Sequence, residues 1–87
     1  MDYQYLKQFL SEERQIVITT HKGPDGDAIG SSLALRLVLV AEGHNVTVVV
    51  PDKFPNYLMS MPEVNSIMIY ENQQAEVQKL FNQCDLI

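Results

Sequence analysis

The spacing of apolar residues along this 87-residue chain changes several times, and each change marks a boundary between elements. Tyr3, Leu6, Phe9 and Leu10 recur at intervals of three and four, which predicts an amphipathic helix over residues 3–13 with one face to bury. Residues 15–20 place Ile16, Val17 and Ile18 in succession, a short β-branched run that suits a strand covered on both faces, as in a parallel sheet. Over residues 28–42, Leu33, Ala34, Leu35, Leu37, Val38, Leu39, Val40 and Ala41 form a helix that is apolar nearly all round. At about 100° per residue, Ser32, Arg36 and Gly43 fall on one narrow polar stripe, so the helix is predicted to be buried on most sides. Gly43 is placed to end it in a left-handed conformation.

Residues 46–50 read as a second buried strand, and strand, helix and strand together make a βαβ unit expected to be right-handed. Pro51-Asp52 marks the end of that strand, and residues 55–61 predict one helical turn begun by Pro55 and bounded by Pro62. A third strand is expected over residues 66–70. Val77, Leu80 and Phe81 mark a helix over 73–83, and residues 84–87 begin a fourth strand. The succession predicts an α/β fold of three layers, a mainly parallel sheet with helices on both faces. There is no internal repeat, low-complexity segment or linker. The all-apolar helix and a fourth strand with no following element lead us to expect that residues 1–87 are the first part of a larger domain.

Composition narrows the function. Hydrophobic residues at 46% and charged residues at 20% are ordinary for one globular domain. A formal net charge of -5 without a basic run argues against a surface that holds duplex nucleic acid. An acidic protein can still act on a phosphate ester if a metal supplies the positive charge. The single cysteine, Cys84, forbids an internal disulfide and points to a cytoplasmic setting. Asp2, Lys7, Glu12 and Glu13 interrupt the N-terminal stretch, which resembles neither a signal nor a transit peptide. No apolar run approaches the length that spans a bilayer, so no membrane partner is expected.

The chemistry-bearing residues gather in His21-Lys22-Gly23-Pro24-Asp25-Gly26-Asp27, between the first strand and the apolar helix. In an open parallel sheet, ligands bind outside the carboxyl ends of the strands, where such loops lie. One imidazole and two carboxylates suit Mn²⁺, Fe²⁺ or Zn²⁺ better than Ca²⁺, and a divalent cation would relieve the repulsion between the carboxylates. The same residues have a plainer explanation. Pro-Asp-Gly is a common turn, Asp27 can cap the helix, and a histidine at a strand end can bond the backbone. On residue types and spacing alone the two explanations stand level. The loop is not an EF-hand, a Walker A loop or a dinucleotide fingerprint.

The run Thr20-His21-Lys22-Gly23-Pro24-Asp25-Gly26-Asp27-Ala28-Ile29-Gly30-Ser31 resembles the first motif of the DHH phosphoesterase superfamily. Val50-Pro51-Asp52 and residues 57–62 resemble its bacterial branch of bifunctional oligoribonucleases and 3'-phosphoadenosine-5'-phosphate phosphatases. The resemblance implies that His21, Asp25 and Asp27 bind catalytic Mn²⁺, with Mg²⁺ or another divalent ion as the alternative. Gly30 and Ser31 are then helix-start positions that allow close packing or backbone approach. It also implies a phosphohydrolase that uses two metals on short oligonucleotides or phosphorylated nucleotides. Family members carry a second aspartate on a later strand, an Asp-His-His triplet, another aspartate and a C-terminal substrate domain, and none of these occurs within the 87 residues. Asp85-Leu86-Ile87 resembles the start of the strand leading to that second aspartate, with Asp85 expected to be a surface or strand-start residue. The isolated chain is expected to bind metal weakly and to turn nothing over. A non-catalytic nucleotide- or metal-binding module is the alternative from another class. His44 is expected in a turn, Cys84 in the core, Met59, Met61 and Met68 in packing, and Lys22 on an exposed loop.

Overall fold

The computed structural model describes residues 3–87; Met1 and Asp2, at the head of the stretch compared with a leader peptide, lie outside them. Strands β1 (Gln15–Thr19), β2 (Asn45–Val50) and β3 (Met68–Ile69) form a parallel sheet in the order β1-β2-β3. Ile16 stands opposite Val46 and Ile18 opposite Val48, while Val49 pairs with Met68. Helices α1 (Tyr3–Phe9), α2 (Gly26–Ala41) and α3 (Gln74–Gln83) complete the chain with two 3₁₀ segments, Asn56–Ser60 and Val64–Ser66.

Alternation along β2 divides the core. Val48 and Val50 pack with Ile29 and Leu33 of α2, and with Phe54, Leu58, Val64 and Ile67. Val49 joins Val17 and Val77 of α3 in a second cluster, with Leu80, Phe81 and Cys84 against it. The expected layers are present, with helices on both faces of a parallel sheet.

Residues 84–87 also behave as the start of a strand. Leu86 forms a parallel bridge with Ile16, and the Val17 N–H donates to the Leu86 carbonyl at 2.9 Å. Asp85 fixes this junction: its N–H donates to the Gln15 carbonyl at 2.7 Å and its Oδ2 accepts the Gln15 N–H at 2.8 Å.

Several boundaries differ from the sequence reading. Helix α1 stops at Phe9 and buries no residue. Its last carbonyls are taken from outside, by Ser11 Oγ donating to Gln8 at 2.6 Å and Arg14 Nε donating to Phe9 at 2.8 Å. The Arg14 guanidinium also lies 4.0 Å over the Phe9 ring. Strand β3 has two residues rather than five, because the chain winds into a 3₁₀ turn before it and folds back onto the Ile69 carbonyl through the Asn72 and Gln73 N–H groups after it. Met61 and Met68 pack against the core clusters, but Met59 is exposed.

Helix α2 departs most from expectation. Its buried residues are Ile29, Ser32 and Leu33, and Arg36 on the same stripe donates from Nε to the Val46 carbonyl at 3.1 Å. Arg36 also meets Glu63 at 3.5 Å, across to a residue with φ of 68°. The polar stripe thus faces the protein, while Leu35, Leu37, Val38 and Val40 are 42–58% exposed. One face of a three-stranded sheet can cover only one side of a helix, so the predicted burial on most sides is not met. Gly43, with φ of 97°, follows the helix end as expected.

His44 lies in the turn between α2 and β2, as expected, and is buried there. Its side chain is part of a residue only 6% exposed, and Nδ1 accepts the Arg14 N–H at 3.1 Å. Truncation would leave that donor without its partner. We expect His44→Ala to lower unfolding free energy by about 1–3 kcal/mol, measured by urea denaturation.

Candidate metal centre

Strand β1 ends at Thr19, and the chain crosses the carboxyl edge of the sheet before α2 begins at Gly26. Pro24 is fully buried and pins the middle of this crossing. Beside it, Gly23 adopts a φ of 67°, a left-handed conformation that glycine reaches without penalty. The Gly23 N–H points to the neighbouring strand end and donates to Asp52 Oδ1 at 2.8 Å.

Asp25, not Asp27, is the residue that caps α2. Its backbone is extended, and its Oδ1 accepts the Ala28 N–H at 2.9 Å while its carbonyl accepts the Ile29 N–H at 3.0 Å. The reason is positional: helical geometry starts at Gly26, so Asp27 already lies in the first turn. There its negative charge suits the helix N-terminus. A Cβ at Gly30 would meet Met61 Cε at 3.5 Å, ordinary van der Waals contact, so the packing there does not demand glycine.

His21, Asp25 and Asp27 are all exposed, and Lys22 is exposed as expected. The ion pairs among the described residues, Arg14–Glu12 and Arg36–Glu63, involve none of the three. In kind, an imidazole and two carboxylates open to solvent fit a divalent transition ion. A carboxylate has further lone pairs beyond the one given to a cap. In arrangement, the structure sets all three on one sheet edge without gathering them: among the described residues, no three His, Cys, Asp or Glu side chains come together closely enough to hold an ion.

An open groove of about 430 Å³ runs beside the loop, with residues 23–25 on one wall and 53–56, including Lys53, on the other. A smaller one, about 300 Å³, opens toward α3 between Thr20, Pro51, Tyr70 and Phe81. A larger cavity, about 860 Å³, lies elsewhere, between α1 and the second half of α2. The sequence marks Pro51-Asp52 as a strand end but gives Asp52 and Lys53 no role at the site. The usable signal was that adjacent parallel strands bring their carboxyl ends together.

A βαβ layer with His and Asp side chains on the loop at its carboxyl edge defines an α/β protein with its candidate ligand residues on a strand-to-helix crossing. More specifically, the chain belongs to the DHH family: residues 15–87 match the family described as "DHH family, N-terminal domain". A crystal structure of an exopolyphosphatase-related protein from Bacteroides fragilis superposes with a TM-score of 0.90 at 37% identity. The match covers 95% of this chain and 25% of that protein, so the chain spans about a quarter of its length. No curated protein matches the chain.

Proposed function

We propose that this chain supplies the metal-holding loop of a manganese-dependent phosphohydrolase that cleaves phosphate esters or diesters in short oligonucleotides or phosphorylated nucleotides. The observation that carries the reading is the position of His21, Asp25 and Asp27. They lie at the carboxyl edge of a DHH-family sheet, exposed and with no part in the ion pairs found among the described residues. The similarity to an exopolyphosphatase-related protein supports phosphoryl chemistry. A cytoplasmic setting fits the single cysteine. Among the described residues no helix is long and apolar enough to cross a membrane.

His21, Asp25 and Asp27 would hold the ion. When bound, a divalent cation polarises a phosphoryl oxygen and makes water a competent nucleophile near neutral pH. The protein's own contribution is placement. Pro24 and the Asp52 bond hold the loop, Asp25 joins it to α2, and the groove presents Lys53 to an anionic substrate.

The experiment is to strip divalent ions from the full-length protein with a chelator and assay 3'-phosphoadenosine 5'-phosphate, a short oligonucleotide and polyphosphate. Activity on at least one of the first two is expected to vanish and to return with Mn²⁺; hydrolysis that persists without metal would defeat the reading. The three ungathered donors favour a second reading, a non-catalytic nucleotide- or metal-binding module. Tight mononucleotide binding by calorimetry, with no turnover under any metal, would select it.

A further inference from the structure

We propose that Asp52 is a positioning residue for this centre, holding the loop between His21 and Asp25 in place through the Gly23 N–H. The inference rests on the metal reading above and adds a residue from a different strand. Gly23 lies two residues after His21 and two before Asp25, at the midpoint of the donor-bearing crossing. Its N–H reaches Asp52 Oδ1 at 2.8 Å, a bond between residues 29 apart in sequence. The loop's other hydrogen bonds described above are local, at the start of α2. The parallel register sets Thr19 opposite Val49, so Asp52, just beyond β2, belongs to the neighbouring strand's carboxyl end.

Two further features separate this role from general stabilisation. Gly23 is exposed, so water can replace the lost acceptor and the fold as a whole gives up little. The bond also joins the two walls of the 430 Å³ groove, Gly23 on one side and the segment that starts at Asp52-Lys53 on the other. Loss of the carboxylate therefore loosens the loop at Gly23, beside the Pro24 anchor, rather than the core. Asp52 takes no part in the ion pairs among the described residues, and a carboxylate accepting a backbone N–H makes a stronger bond than a neutral acceptor.

The test compares Asp52→Ala and Asp52→Asn with the unaltered full-length protein. Three quantities are read: Mn²⁺ affinity by calorimetry, the exchange rate and chemical shift of the Gly23 amide by NMR, and the thermal midpoint. Asp52→Ala is expected to weaken Mn²⁺ binding about 10- to 100-fold, the range for loss of a partner that orients a metal ligand. It should also speed Gly23 exchange while moving the thermal midpoint little. Asp52→Asn keeps an oxygen acceptor and is expected to restore both readouts to within a few-fold. Unchanged Gly23 exchange in Asp52→Ala overturns the proposal, as does unchanged Mn²⁺ affinity beside faster exchange. So does an Asn variant as poor in Mn²⁺ binding as Ala with Gly23 still protected, since the charge and not the tether would then matter. If the unaltered protein binds no Mn²⁺, the metal reading fails by itself, and the Gly23 exchange data alone decide whether Asp52 holds the loop.

Discussion

Asp25→Asn and Asp27→Asn are each expected to reduce turnover of the full-length protein by more than about a hundredfold, beyond the roughly 10- to 100-fold cost of losing a partner that merely orients a metal ligand. Asparagine is the informative replacement at Asp25 because that carboxylate has a second task, accepting the Ala28 N–H at 2.9 Å as the cap of α2. Asparagine caps a helix about as well as aspartate, whereas alanine would cost about 1 kcal/mol. A folded but inactive Asp25→Asn protein would therefore locate the defect in the charge that holds the ion. Asp27 has no capping bond, so its variant lacks even that small structural complication. Turnover and Mn²⁺ affinity measured beside the thermal midpoint make the comparison; normal turnover in both variants would refute the ligand assignment.

The second large effect is on stability. Ile29→Ala is expected to cost about 2–5 kcal/mol in urea denaturation, the range for truncating a large aliphatic residue in a packed core. Ile29 is 0% exposed and lies among Leu33, Val48, Val50, Phe54 and Leu58, at the centre of the larger cluster. At the usual stability of roughly 0.05–0.15 kcal/mol per residue, one change of this size removes a large fraction of what a segment of this length contributes. Ile29 also follows Asp25 by one helical turn, and its N–H is bonded to the Asp25 carbonyl. A loss of 0.5 kcal/mol or less would mean that α2 does not depend on this contact for its seat on the sheet.

The elements with strong periodicity were legible in the residues alone. Strands β1 and β2 and helices α2 and α3 fall within two residues of their expected bounds, because consecutive β-branched residues and the Val77, Leu80, Phe81 spacing each admit one regular structure. Short elements were less legible. Residues 66–70 contain the composition of a strand, but a strand needs a partner along its length, and the turns on either side leave β3 only two residues to pair. The orientation of α2 was hidden for a different reason. A helix apolar on nearly every side has a weak preferred face, so the sheet contact and the Arg36 bond to Val46 decide which side turns inward.

At the candidate site, the type and order of the donors were readable, and their division of labour was not. Pro24-Asp25-Gly26-Asp27 offers two carboxylates to one helix start, and only the backbone path shows that helical geometry begins at Gly26. The Asp52 bond to Gly23 depends on strand ends meeting across 29 residues, which no local pattern encodes. His44 lies in the turn between α2 and β2 as the sequence suggests, but its burial is not legible there because its partner, the Arg14 N–H, comes from the segment before β1.

The cap made by Asp25 narrows the chemical alphabet available at that position. Serine, threonine and asparagine can close the helix end but bring no charge to an ion; glutamate and histidine can ligate but are not among the side chains that cap well. Aspartate alone meets both demands. Position 27, inside the first turn, is free of the capping bond, and the favourable helix N-terminus asks of it only a negative charge. Two neighbouring carboxylates with the same proposed ligand role therefore carry unequal freedom to vary, and the difference is set by a single backbone N–H.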